Sequence, residues 1–275
     1  MCSMDKKFFV VHHLGLGDHL VMNGFVHMLL QQNPKEILLV CKAHNVKSVE
    51  KMYNGYPTVK LYSIKDLADL YPTENPLQKI TDILAKGYEY IGFGVHGNNR
   101  NYLELDKSWA NCFYKQYGLD PTMRWKLFKF PVNMDRSVEL ASSIIHKIGA
   151  NYIVVHDDPS RGFVLDYSKI KKYLVDNGSD KMPVVYLGKD RYKSPLIEGC
   201  DNPNVQDEIQ TETLYDYSHL LVNAKECHMM DSSIALLTDL LPLRKDQKRY
   251  MHEYAKVGEI LTTEGLFQNE WNIIV

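Results

Sequence analysis

Asp18 ends the run His12-His13-Leu14-Gly15-Leu16-Gly17-Asp18, which joins an apolar stretch, Phe8-Phe9-Val10-Val11, to a helical pattern over Asp18–Gln32. A carboxylate at that junction can do one of two jobs. It can cap the helix start, or it can point into a cleft as a general base. Gly15 and Gly17 let backbone approach a ligand closely, and the N–H groups of a strand-to-helix turn suit an anionic or sugar-bearing molecule.

Two further segments could carry chemistry. His156-Asp157-Asp158-Pro159-Ser160-Arg161-Gly162-Phe163 follows a strand pattern, and in open α/β sheets ligands bind at the carboxyl ends of strands. Arg161 there can make a forked contact to phosphate, with Ser160 beside it. The adjacent Asp157 and Asp158 suggest a metal pair, but neighbouring side chains on an extended loop point apart, and a surface turn explains them equally well. Cys227-His228-Met229-Met230-Asp231-Ser232-Ser233 also leads from a strand into a helix. Its exposed N–H groups and the Ser232 and Ser233 hydroxyls could cradle a diphosphate, with Asp231 orienting the loop. An ordinary helix cap is the competing explanation. Gly188, directly after a strand pattern at Pro183–Leu187, is placed on the same side.

His96-Gly97-Asn98-Asn99-Arg100 follows a fourth strand pattern, so His96, Asn98 and Arg100 are candidates for an acceptor contact, or simply a polar loop. Period two turns one of His12 and His13 inward and the other outward. An inward histidine is more often a satisfied core residue than a catalyst.

The elements that must hold these loops alternate. Strand patterns at Lys7–His12, Glu36–Cys41, Val59–Ser63 and Tyr88–Val95 are separated by helical ones at Asp18–Gln32, Asn45–Tyr53 and Pro76–Lys86. The region Gly97–Lys129 breaks the rhythm, with a helix expected at Lys107–Tyr117 and a turn at Pro121, and the rhythm then restarts with helices at Asp135–Ile148, Tyr167–Asp176, Thr213–Asn223 and Ser232–Leu241. These alternate with strands at Tyr152–His156, Pro183–Leu187, near Val205 and at Glu226–Met230. A last helix is expected over Asp246–Val257. Strand–helix alternation with short connections is the mark of parallel α/β sheets. Two such halves are expected, residues 1–132 and 133–275.

Composition narrows the function. Of 275 residues, 45% are hydrophobic and 24% charged, and the net charge of −2 with no basic run gives no footprint for nucleic acid. Five scattered cysteines without a paired spacing fit reduced thiols, and eleven histidines show no metal-ligand spacing. No apolar run is long enough to span a membrane, and the charged N-terminus does not read as a signal peptide, so a cytoplasmic address is expected. The glycine loop lacks the third glycine of a dinucleotide fingerprint, and no acid ends the second strand. No nicotinamide cofactor is expected.

Together these loops resemble those of the GT-B glycosyltransferases, in particular the bacterial heptosyltransferase-like group. The family's early Gly-Asp corresponds to Gly17-Asp18, its late Asp-Thr-Gly to Asp231-Ser232-Ser233, and its phosphate-binding basic residue to Arg161. The resemblance implies two Rossmann-like lobes facing a central cleft. It implies Asp18 as base, a nucleotide-sugar donor on the C-terminal lobe as co-substrate, and no other cofactor or metal. A glycan or glycolipid acceptor would bind near Gly15, Gly17, His13, His96, Asn98 and Arg100, with peripheral membrane contact in the glycolipid case. Two departures are Ser233 for the family's glycine and Leu236 for a following histidine. They keep open a 2-epimerase or hydrolase of the same fold, and a non-enzymatic carbohydrate- or nucleotide-binding module.

Overall fold

The computed structural model describes residues 5–70, 78–99, 101–131, 134–156, 165–187, 211–242, 244–252 and 265–274. The chain divides into two compact units, 1–133 with 262–266, and 134–261 with 267–275. Each is a parallel α/β sheet, as the alternation requires.

In the first unit the strands are β1 (Lys7–Val11), β2 (Glu36–Lys42), β3 (Val59–Ile64) and β4 (Tyr88–Gly92), in the order β3-β2-β1-β4. All pair in parallel, with Lys7 opposite both Glu36 and Tyr88. Helices α1 (Leu16–Leu30), α2 (Val46–Met52), α3 (Gln78–Leu84), α4 (Trp109–Lys115) and α5 (Met123–Lys126) complete it. Phe9, Val11, Leu14, Val40 and Ile83 form a shared core on one face. Each such side chain contributes about 1.5–3 kcal/mol by leaving water. Because β2 and β3 lie on one side of β1 and β4 on the other, the chain changes direction between β1 and β4. The crevice that α/β sheets use for ligands therefore lies beside the loops after β1 and β4.

The second unit holds α6 (Asp135–Ile148), β5 (Ile153–His156), α7 (Tyr167–Asp176), β6 (Val184–Leu187), α8 (Ser218–Asn223), β7 (Glu226–Met229), α9 (Ser233–Leu240), β8 (Lys248–His252) and β9 (Asn272–Ile274). Its parallel sheet has the order β6-β5-β7-β8-β9. The change of direction falls between β5 and β7. In α6, buried Ser137, Leu140, Ala141 and Ile144 recur at three- and four-residue spacing, which gives the helix one inward stripe. Asp166 caps α7, its carboxylate accepting from Ser168 N at 3.1 Å and Lys169 N at 3.2 Å.

Two buried polar residues fix the C-terminal segment, one in each unit. Arg124 of α5 donates to the carbonyls of Gly265 and Leu266. Asp239 of α9 accepts from Gln268 N at 2.6 Å, Asn269 N at 3.0 Å and Trp271 Nε1 at 3.2 Å.

One expected element is corrected. Within the stretch expected as a helix over Asp246–Val257, Lys248–His252 is a strand that pairs with β7. Tyr250, Met251 and His252 are all buried, and a strand covered on both faces shows no alternation to read. The expected strand near Val205 lies outside the described residues. Among the described residues, no helix is long and apolar enough to cross a membrane, and Cys41, Cys112 and Cys227 are buried free thiols.

Candidate active site

The turn after β1 is built around Leu14, not around its glycines. Leu14 has a left-handed backbone, φ 69°, whereas neither Gly15 nor Gly17 has a positive φ. A leucine in that conformation costs about 1–2 kcal/mol. Three contacts offset the cost. The Leu14 N–H donates to His12 Nδ1 at 3.0 Å, its carbonyl accepts from Asn45 Nδ2 at 3.1 Å, and its side chain is fully buried. Gly15 is needed for space instead, since a Cβ there would stand 2.6 Å from Asp18 Oδ2.

Asp18 is the third residue of α1, and its Oδ2 accepts from Gly15 N at 2.8 Å. Gly15 is the N-cap and has no side chain to return, so only the acidic half of a capping box is formed. The first turn of a helix also favours a negative charge. Asp18 is half-buried and its carboxylate is oriented by this bond.

The same turn holds two histidines packed edge-on, with ring centroids 4.2 Å apart. His12 Nε2 lies 3.2 Å from His19 Nδ1, and both rings are fully buried. An N–H can only donate, so His12 Nδ1 carries a lone pair and its proton sits on Nε2. That proton faces His19 Nδ1, which leaves the His19 proton on Nε2, where no acceptor stands among the described residues. Burial holds His12 well below 6.5, with His19, His13 and His96 adding to the effect. It lowers His19 to about 3. His12 is thus the inward, satisfied histidine.

His13 faces the loop after β4. Its Nε2 accepts from Val95 N at 3.3 Å and lies 3.4 Å from the Tyr102 hydroxyl. Its ring packs edge-on against Tyr102 and Phe113. Gly94 is required here: its φ is 63°, and a Cβ would fall 2.1 Å from His13 Nε2. Burial pushes the Tyr102 hydroxyl above its ordinary value, and the charge of Asp18 adds to it. Tyr102 therefore joins the Asp18 turn to the His13 cluster. His96 is lowered to about 4, by burial first and then by His13. Gln116, the C-cap of α4, fastens this loop, accepting from Gly94 N at 2.9 Å and donating to the carbonyls of Gly94 and Asn99, each at 3.0 Å. Asn98 is exposed.

In the second unit, Ser232 is the N-cap of α9. Its Oγ accepts from Ala235 N at 3.2 Å, and the residue is nearly buried. The Ser232 oxygen thus serves the helix, as the capping alternative holds. By helix geometry the Ser233 and Ile234 N–H groups have no intrahelical acceptor. Asp231 and Ser233 are half-buried. Ser160, Arg161, Gly188 and Arg100 lie outside the described residues.

Within the first unit, Asp18, Gly15, His13 and His96 come together at the crevice beside β1 and β4. Sequence reasoning missed Tyr102 and Gln116. Tyr102 comes from the irregular region after β4, and Gln116 ends the helix expected over Lys107–Tyr117, whose pattern gives no sign of its contact with Gly94. No group of three or more His, Cys, Asp or Glu side chains is arranged to hold a metal ion among the described residues.

No family model matches the sequence, and no curated protein matches it. Solved structures do. A crystal structure of a glycosyl transferase family 9 protein from Veillonella parvula has a TM-score of 0.53 at 14% identity, over 90% of this chain and 80% of that one. The iron-containing dodecameric glycosyltransferase TibC from enterotoxigenic E. coli has a TM-score of 0.49 at 14% identity, and the match spans 58% of its length. The E. coli heptosyltransferase WaaC, solved with ADP-2-deoxy-2-fluoro heptose, has a TM-score of 0.42 at 11% identity over 98% of this chain and 92% of that one. The chain shares its fold, two parallel α/β sheets with their helices, with the Veillonella glycosyl transferase family 9 protein.

Proposed function

We propose that the chain is a glycosyltransferase that moves a sugar from a nucleotide-diphosphate donor to an acceptor hydroxyl, without a metal and with inversion. The placement of Asp18 carries this reading. Its carboxylate is oriented by Gly15 N–H at the crevice of the first sheet, and its charge is felt at Tyr102, whose hydroxyl lies 3.4 Å from His13 Nε2. In the reaction the acceptor oxygen forms a bond to the anomeric carbon and passes its proton to Asp18. The bond from that carbon to the diphosphate oxygen breaks, and the leaving charge goes to the diphosphate. The Ser233 and Ile234 N–H groups, with Arg161, Ser160 and Gly188, are the groups proposed to hold that charge; fixed donors need no reorganisation as it develops. His13, His96, Asn98 and Arg100 are the proposed acceptor contacts.

A non-catalytic binding module is favoured by one observation, that the Asp18 carboxylate already serves the helix start. Asp18→Asn separates the two. The amide oxygen still accepts from Gly15 N–H, so the turn survives while the base is lost. Assayed against a panel of nucleotide sugars, the variant should turn over at least about 100-fold more slowly with unchanged melting temperature. Near-full turnover would reduce Asp18 to a cap.

A further inference from the structure

The second unit contains a buried polar chain that the reaction above does not use. On β7, Glu226 and His228 are two residues apart and share one face, and the register sets His228 beside Tyr250 of β8. Ser179 Oγ donates to Glu226 Oε1 at 2.6 Å. Glu226 Oε2 lies 3.6 Å from His228 Nε2, and His228 Nδ1 lies 3.0 Å from His252 Nε2. Tyr250 stacks on His228 with centroids 4.6 Å apart, and its hydroxyl accepts from Tyr173 of α7 at 2.5 Å. Glu226, His228 and His252 are each at least nine-tenths buried.

The protons in this chain have one consistent arrangement. Burial pushes the Glu226 carboxyl up, but the nearby His228 ring and the hydrogen bond from Ser179 outweigh it and leave the group below its ordinary value. A negative carboxylate oxygen 3.6 Å from Nε2 favours the His228 proton on that nitrogen. His228 Nδ1 is then a lone pair, and it takes the Nε2 proton of His252. Burial first, then His228, lowers His252 to about 3; Asp166 opposes this and Lys169 adds to it. The ring is neutral, and its Nδ1 bears a lone pair directed away from His228. No hydrogen bond to that nitrogen exists among the described residues. His252 is the last residue of β8, at the carboxyl edge of the sheet, one strand from the Asp231–Ser233 turn.

We propose that Ser179, Glu226 and His228 hold His252 in a single tautomer, so that His252 Nδ1 accepts a hydrogen bond from a hydroxyl of a polyol ligand bound at the carboxyl edge of the second sheet. Resting on the glycosyltransferase reading, that ligand is the nucleotide-sugar donor, and the hydroxyl belongs to its ribose or to its sugar ring. His252 is then a binding residue, and Glu226 and His228 are positioning residues.

The first test needs no variant. Long-range 15N–1H spectra of the ligand-free, histidine-labelled protein should show both His228 and His252 protonated on Nε2. A His252 proton on Nδ1 overturns the proposal. The second test is calorimetry with ADP, GDP, UDP and CDP, followed by the 2′-deoxy and 3′-deoxy forms and the nucleotide sugars of whichever binds. His252→Phe should weaken the intact ligand about tenfold and leave the form lacking the recognised hydroxyl unchanged. A penalty on the plain diphosphate identifies the ribose; a penalty only on the nucleotide sugar identifies the sugar ring. Glu226→Gln, which touches no ligand, should lose the single tautomer and part of the affinity while keeping its melting transition. Equal affinity of wild type and His252→Phe for every ligand, or no binding by any, overturns the proposal. Transfer that needs Asp18 alongside unaffected donor affinity in His252→Phe would sink this inference alone. Donor affinity that depends on His252 without transfer to any acceptor would sink the glycosyltransferase reading alone.

Discussion

Each unit buries a pair of histidines behind a strand, and the two pairs are wired in opposite senses. In the first, His12 takes the Leu14 N–H and passes a proton face to His19, so the chain ends in an N–H with no acceptor among the described residues. In the second, every proton points towards Glu226, so the chain ends in a lone pair on His252. One pair begins at a backbone group and locks a turn. The other begins at a carboxylate and prepares an acceptor. What a buried histidine does is set by the group at the far end of its hydrogen-bond chain.

The sharpest break of this comparison is to cut both chains with the same side chain. His228→Leu leaves the Glu226 carboxylate buried beside an apolar group, which should cost about 3–5 kcal/mol. His12→Leu leaves two neutral groups unsatisfied, the Leu14 N–H and the His19 Nδ1 lone pair, and should cost less, about 1–3 kcal/mol. Leucine in both places keeps the apolar change comparable. Urea midpoints should rank the two in that order, and adding Glu226→Leu to His228→Leu should recover part of the loss. The reverse ranking would show that the carboxylate is not what the second pair depends on.

The pairs also separate by pH. His19 and His252 are held near 3 in the folded chain, against 6.5 for an ordinary histidine. The unfolded chain therefore binds more protons below about pH 6.5. Their contribution to stability is complete above that value and declines as pH falls towards 3, by about 1.4 kcal/mol per pH unit for each ring that stays neutral. The two inner rings should differ. Burial lowers both, but Glu226 pulls His228 back up, whereas every neighbour named for His12 is another histidine. In an NMR titration of the ring C–H signals, His228 should take its proton at a higher pH than His12; the opposite order would contradict the wiring.

How much of this was legible in the sequence depends on the range of the interaction. Two parallel sheets follow from alternation, and the order of loops at their carboxyl ends follows from the chain's direction. The Asp18 turn was legible as a spacing. Its mechanism was not, because Gly15 and Gly17 suggest a glycine-built turn while the left-handed residue is Leu14, fixed by a ring nitrogen two residues earlier. Tyr102 and Gln116 meet His13 and Gly94 across gaps of 89 and 22 residues, and no local pattern encodes such a meeting. Strand β8 was misread for the same reason. Its identity comes from pairing with β7, which outweighs the helical tendency of a charged, unalternating run.

The finest distinction concerns His19. In the native turn one buried N–H, on His19 Nε2, has no acceptor among the described residues. Replacing His19 by leucine removes that group and strands another, since His12 Nε2–H loses His19 Nδ1. The number of unsatisfied donors stays at one, while the bond from Leu14 N–H to His12 is untouched. His19→Leu should therefore shift stability by no more than about 1 kcal/mol in urea unfolding, well inside the cost of His12→Leu. A loss as large as that of His12→Leu would mean that His19 Nε2 does have an acceptor. The first pair would then be a relay like the second, and the contrast between lock and relay would fall.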